Sequence, residues 1–276
     1  MKLSKICYLP IIVVLIWLTF AWTIAFLVDV TRLLDFHLFM PNSNFHFPLI
    51  WYYLFSEASP TENLQWLNQF LGLIVSTICW FRLRRTHARL SAYWLGLASG
   101  LLIMLVEDSL NFRHLIYGYY LEVLLSEVSI LNQYHKTIWE LLFYSILSIL
   151  IIFSGYNLFK AIKPNKQTVF FLFVGYLLYG IAAFGSATRK VFDWQERFGE
   201  WIIVRYSLDQ LPNWSKGIDL LAKARESSED YTHTMGYLLI DHWYEESLEL
   251  LAAGFLITGI LLLARCQFEQ INTKRY

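Results

Sequence analysis

Residues 6–28 form a run of 23 positions without one charged side chain. As an α-helix rising 1.5 Å per residue, such a run covers the roughly 30 Å hydrocarbon core of a bilayer. Inside lipid, only a helix or a closed barrel satisfies its own backbone hydrogen bonds, so this feature limits the chain to very few folds. Five further apolar stretches, 63–81, 90–106, 137–159, 168–188 and 244–264, have comparable length and are bounded by charge. The reading is an all-α, polytopic membrane protein of six transmembrane helices, with residues 1–276 as a single integral membrane domain. Lys2 and Lys5 precede the first run as they would in a signal peptide. That run nevertheless exceeds the usual 7 to 15 residues, and no small-x-small cleavage site follows, so it reads as a retained span.

Composition agrees. The chain is 57% hydrophobic and only 16% charged, against roughly 45–50% and 25% in soluble domains. Twenty-two basic and 22 acidic residues cancel, which leaves no basic surplus to attract nucleic acid. The lipid bilayer is the first partner implied.

Six spans put both termini on one side. The N-terminus, the loop with Arg82, Arg84, Arg85 and Arg89, the loop with Lys160, Lys163 and Lys166, and the tail with Arg265, Lys274 and Arg275 carry 12 basic residues. The short connections on the other side carry Arg32, Arg113 and Lys136 alone. By the positive-inside rule the N- and C-termini are cytoplasmic, as in a bacterial inner (plasma) membrane protein with one longer outer loop at about 189–232. Nearly all the acids fall on the outer side or at outer helix ends, Glu269 being the exception. Cys7, Cys79 and Cys266 lie near cytoplasmic ends, where thiols stay reduced, so no disulfide is expected.

Residues 48–55 (PLIWYYLF) are apolar and aromatic but too short to cross, which assigns them to the outer interface or to a partial dip into the membrane. Residues 201–204 resemble them. Residues 217–225 have the spacing of a short amphipathic helix within the outer loop, which is expected to pack on the spans.

The chain contains no HExxH, GxSxG, CxxC, phosphate-binding loop or dinucleotide fingerprint. It does hold a constellation of acids and histidines. Glu107, Asn111 and His114 share one helical face by the i, i+4, i+7 rule, and His242, Glu246 and Glu249 repeat the spacing. His135 and Glu140 add a third pair at i, i+5. Glu249 stands 16 residues before Arg265, about 24 Å of helix, and so lies just inside the outer boundary. Three helices could thus supply an outward-facing pocket. His114, His135, His242, Glu140 and Glu249 are the candidate ligands of one or two divalent metals, and Glu107 and Glu246 the candidate catalytic bases. Carboxylate with imidazole suits Zn, Mn or Fe. The competing structural reading makes the same acids helix caps, or ion pairs of Arg113, Lys136, Arg189 and Lys190.

Asp108, Ser109, His114 and His242 on outer helix ends resemble the ceramidase-like membrane hydrolases, whose zinc site near one membrane face uses histidines, an aspartate and a serine. The paired histidine spacing expected on a late helix of that group is absent, and Glu246 stands where a second histidine would be sought.

Three functions follow as expectations. The first is a metal-dependent hydrolase acting on a lipid or lipid-linked substrate, with metal-bound water as nucleophile. The second is a noncatalytic subunit whose acidic outer face meets a membrane-protein partner. The third, a cation-coupled transporter, lacks the inverted repeats and broken helices usual there. A reporter fused after Arg85 or Lys163 is expected to be active only if it works in the cytoplasm, and one near Ser227 only if it works outside. Opposite activity at any of these positions contradicts the six-span orientation.

Overall fold

The computed structural model describes residues 5–35, 47–110, 116, 135–189, 191, 193–227 and 233–273. These are all-helical, with no strand among them. The helices are α1 (Leu9–Ala25), α2 (Ile50–Phe55), α3 (Pro60–Leu83), α4 (Ala88–Leu110), α5 (His135–Ile162), α6 (Lys166–Thr188), α7 (Trp194–Arg205), α8 (Pro212–Ser227), α9 (Met235–Leu238) and α10 (Glu246–Thr273). Two wider π-helical turns, Phe26–Val30 and Leu239–Glu245, extend α1 and join α9 to α10.

Among the described residues six helices are long and apolar enough to cross a membrane: Leu9–Val30, Ile50–Leu83, Ala88–Leu110, Thr137–Ile162, Lys166–Thr188 and Met235–Ile271. Each contains one of the six apolar stretches of the sequence, save that the first helix starts three residues into its stretch. The second and last helices start earlier than hydropathy indicates. Many of their neighbours also turn apolar side chains outward: on α5, Ile149 is 68% and Phe153 61% exposed. A water-soluble protein would bury such a face, whereas hydrocarbon solvates it without cost.

The chain sorts into two compact units. Unit 1 comprises Met1–Val14, Leu64–Ala187 and Glu249–Tyr276. Its core gathers Trp94, Leu97, Leu101, Leu158, Ile162, Leu256 and Ile257. Since lipid tails are as apolar as leucine, spanning helices need close approach rather than hydrophobicity to associate. Small residues allow that approach. Gly96 and Gly100, one turn apart on α4, lie against Ser154 and Ile151 of α5. Gly175 of α6 lies so close to α10 that a Cβ would stand 2.6 Å from the Leu256 backbone nitrogen.

Unit 2 comprises Leu15–Asn63 and Thr188–Leu248. Its core is aromatic, with Trp51 and Trp243 stacked at 5.6 Å and 10° between ring planes and Trp22 against Trp243 at 4.8 Å. Asp29, fully buried in the first π-helical turn, accepts hydrogen bonds from the Ile50 and Trp51 backbone amides at 2.9 Å each. The Trp214 indole donates to the Asp29 carbonyl oxygen at 3.1 Å. This carboxylate satisfies the orphan amides at the start of α2. Trp51 and Phe55 are buried, so residues 48–55 supply part of this core.

Helix α7 crosses α9 through Gly199 and Gly236, each in backbone contact with the opposite helix. A Cβ on Gly236 would lie 2.6 Å from the Glu200 amide nitrogen and 2.7 Å from the Glu196 carbonyl oxygen. Backbone atoms cannot step aside as a side-chain tip can. Gly199→Ala or Gly236→Ala is therefore expected to cost about 1–3 kcal/mol, the range for overpacking, read as a lower thermal midpoint in detergent. Gly180→Ala, whose Cβ would meet nothing within 4 Å, should leave the midpoint unchanged. Equal behaviour of the three variants would contradict the crossing.

Candidate functional site

In unit 1 the last turns of α4 bring down Glu107 and Asp108, α10 brings Glu249, and α3 brings the amides Gln65 and Gln69. Gln65 and Gln69 are four residues apart and hence on one helical face. Both are about 1% exposed. The Gln65 Nε2 donates to Asp108 Oδ2 at 2.9 Å and to Glu249 Oε2 at 2.8 Å. One amide nitrogen thus holds carboxylates from two different helices. Gln69 Nε2 donates to the same Asp108 oxygen and to the Tyr179 hydroxyl, the latter at 3.3 Å. The amide oxygens of Gln65 and Gln69 are buried and accept no hydrogen bond from the described residues.

The three acids form one wall of a cavity of about 150 Å³. Glu107, Asp108 and Glu249 line it together with Tyr144, Tyr176 and Tyr179, and Met104, Leu147, Ile151 and Leu256 complete its apolar part. Ser148 and Ile152 of α5 and Gly180 of α6 also line it, and all three are exposed. The cavity therefore reaches the outside between two apolar spanning helices. At Gly180 it meets open space.

The described residues expected from sequence divide between the two units. Glu107 and Glu249 share the cavity. Glu140 is buried on α5, one turn before Tyr144, outside the lining. His242 and Glu246 belong to unit 2. There the His242 ring meets Tyr52 edge-on, with centroids 5.7 Å apart, and the adjacent Asp241 pairs with Arg189 at 3.3 Å. His114 lies outside the described residues, and of His135 the helical backbone alone is described. Among the described residues no three His, Cys, Asp or Glu side chains are grouped so as to hold a metal ion.

Asp108 carries more of the site than its neighbours in sequence indicate, because it receives both glutamines. The glutamine pair and the three tyrosines were not legible as site residues. The available signal was the i, i+4 pair of amides inside an otherwise apolar span. No protein-family model, curated protein or solved structure matches the chain.

Gln65→Leu keeps the side-chain bulk but removes two donors to acids, and a hydrogen bond to a charged group contributes roughly 1.5–3 kcal/mol. The variant is expected to lose about 2 kcal/mol of stability in detergent. Asn68→Leu should cost less, since the Asn68 amide bonds the Leu64 carbonyl of its own helix. Thermal unfolding of the two variants checks this, and an equal or smaller loss for Gln65→Leu would remove the bridge.

Proposed function

We propose that this is a multi-pass integral protein of a bacterial inner (plasma) membrane, both termini cytoplasmic, which admits a lipid or lipid-linked molecule sideways from the bilayer into the carboxylate cavity of unit 1. One observation carries the reading: the cavity opens at Ser148, Ile152 and Gly180, on exposed faces of two spanning helices, while its inner wall holds Glu107, Asp108 and Glu249. An aqueous solute would have to cross hydrocarbon to use such an opening, but a bilayer molecule already lies beside it.

The lining indicates which part of the ligand goes where. The three acids of the lining present acceptors, so the ligand head must bring donors, as hydroxyl or ammonium groups do. Tyrosine rings favour the cationic version, because a cation is attracted to an aromatic face. Met104, Leu147 and Leu256 suit the apolar portion next to the head. A volume of about 150 Å³ equals that of an engineered cavity that binds benzene, so it takes a headgroup-sized piece rather than a whole lipid.

Hydrolysis is the enzymatic form of this reading, with Glu107 positioned to activate water as general base. The metal-assisted version requires Zn, Mn or Fe bound near-stoichiometrically, which elemental analysis of the purified protein decides. Binding itself is tested at Gly180. Phenylalanine there should project into the opening, and labelling of unit 1 by a photoactivatable phospholipid should fall by an order of magnitude, equivalent to about 1.4 kcal/mol of affinity. Ile181→Phe, at a lipid-facing position outside the lining, should label as the parent does. Undiminished labelling of folded Gly180→Phe overturns the proposal.

A further inference from the structure

Helices α7 and α8 belong to unit 2 and lie between the fifth and sixth candidate spans. They turn different surfaces outward. The exposed positions of α8 include Lys216, Asp219, Lys223, Arg225 and Glu226, a face that water solvates. Those of α7 include Trp194, Phe198 and Trp201 at i, i+4 and i+7, followed by Val204, and Trp201 is 56% and Val204 69% exposed. The Phe198 and Trp201 rings stack 5.9 Å apart with only 9° between their planes, forming one flat apolar surface. Arg197 and Arg205 are exposed on the same side.

The opposite face of α7 is buried through Gln195, Gly199 and Ile203. Gly199 meets Gly236, the second residue of the last candidate span. This contact, inside unit 2, sets α7 at the level of the N-terminal end of the last candidate span. An aromatic face with interspersed arginines at that level has the composition of a helix lying in the bilayer interface. There tryptophan rings sit among headgroups and arginine meets phosphate. Residues 48–55 are as aromatic in sequence, yet none of them is exposed and Leu49, Ile50, Trp51 and Phe55 are buried in the unit 2 core, so exposure distinguishes α7 from them.

We propose that α7 is an interfacial anchor. Its Trp194, Phe198 and Trp201 face is seated in the lipid headgroup layer, and Arg197 and Arg205 contact lipid phosphates. The inference stands independently of the cavity and its ligand.

The test uses the full-length protein in vesicles of phosphatidylcholine and phosphatidylglycerol. An environment-sensitive fluorophore is attached at Trp201→Cys, or at Phe198→Cys in a second preparation, with Cys266→Ser as background. Cys79 and Cys7 are buried. Relative to the same label at Lys223→Cys, emission should shift to the blue. Quenching by headgroup-attached nitroxide lipids should be several-fold stronger, and quenching by aqueous iodide several-fold weaker. Iodide access equal to that at the Lys223 position overturns the proposal by showing a solvated face. A blue shift without lipid quenching overturns it as well, by showing that protein covers the face.

Discussion

The hydrogen bonds of one buried amide organise the site. In a spanning bundle no bulk water solvates a carboxylate, so a carboxylate oxygen there depends on protein donors. Gln65 Nε2 meets Asp108 and Glu249 together, and Gln69 adds a second bond to Asp108. The acids consequently converge from α4 and α10 instead of facing outward as separate caps. Their convergence gives the neighbouring cavity an acidic wall, and the exposed flank at Gly180 gives it an opening. Without the glutamines, the same helices would bring two acids together with fewer donors to hold them.

Close helix approach supports this arrangement in unit 1, where Gly175 lies against the Leu256 backbone and Gly96 and Gly100 lie against α5. Unit 2 relies on another device. The buried Asp29 carboxylate joins a π-helical turn to the first turn of α2, and stacked tryptophans fill the space around it. In both units, polar side chains inside apolar surroundings act as fasteners between segments. Such bonds are strong because the alternative is an unsatisfied buried group.

The spans were legible because length and hydropathy are properties of a single segment. Their neighbours in space were not. Residues 48–55 and 201–204 look alike in sequence, yet Trp51 is buried and Trp201 exposed, since burial depends on what folds over each one. The last span starts at Met235 rather than at 244 because Asp241, paired with Arg189, is carried inside the helix. Of the candidate site, Glu107 and Glu249 were found by helical spacing, but Asp108 gains its importance from Gln65 and Gln69 on another helix. Leu239–Glu245 is π-helical, yet the Glu246 amide at its end donates to the His242 carbonyl oxygen, so this pair keeps its i, i+4 relation in the backbone.

A double-mutant cycle between Gln65 and Glu249 tests the bridge most directly. Stability in detergent is measured for the parent, Gln65→Leu, Glu249→Gln and the double variant. Residues that share a hydrogen bond couple by about 0.5–3 kcal/mol, whereas independent sites add within about 0.5 kcal/mol. The shared amide predicts a coupling of 1 kcal/mol or more on that scale. Simple additivity of the two substitutions would show that Gln65 does not hold Glu249, and the acidic wall of the cavity would lose its foundation.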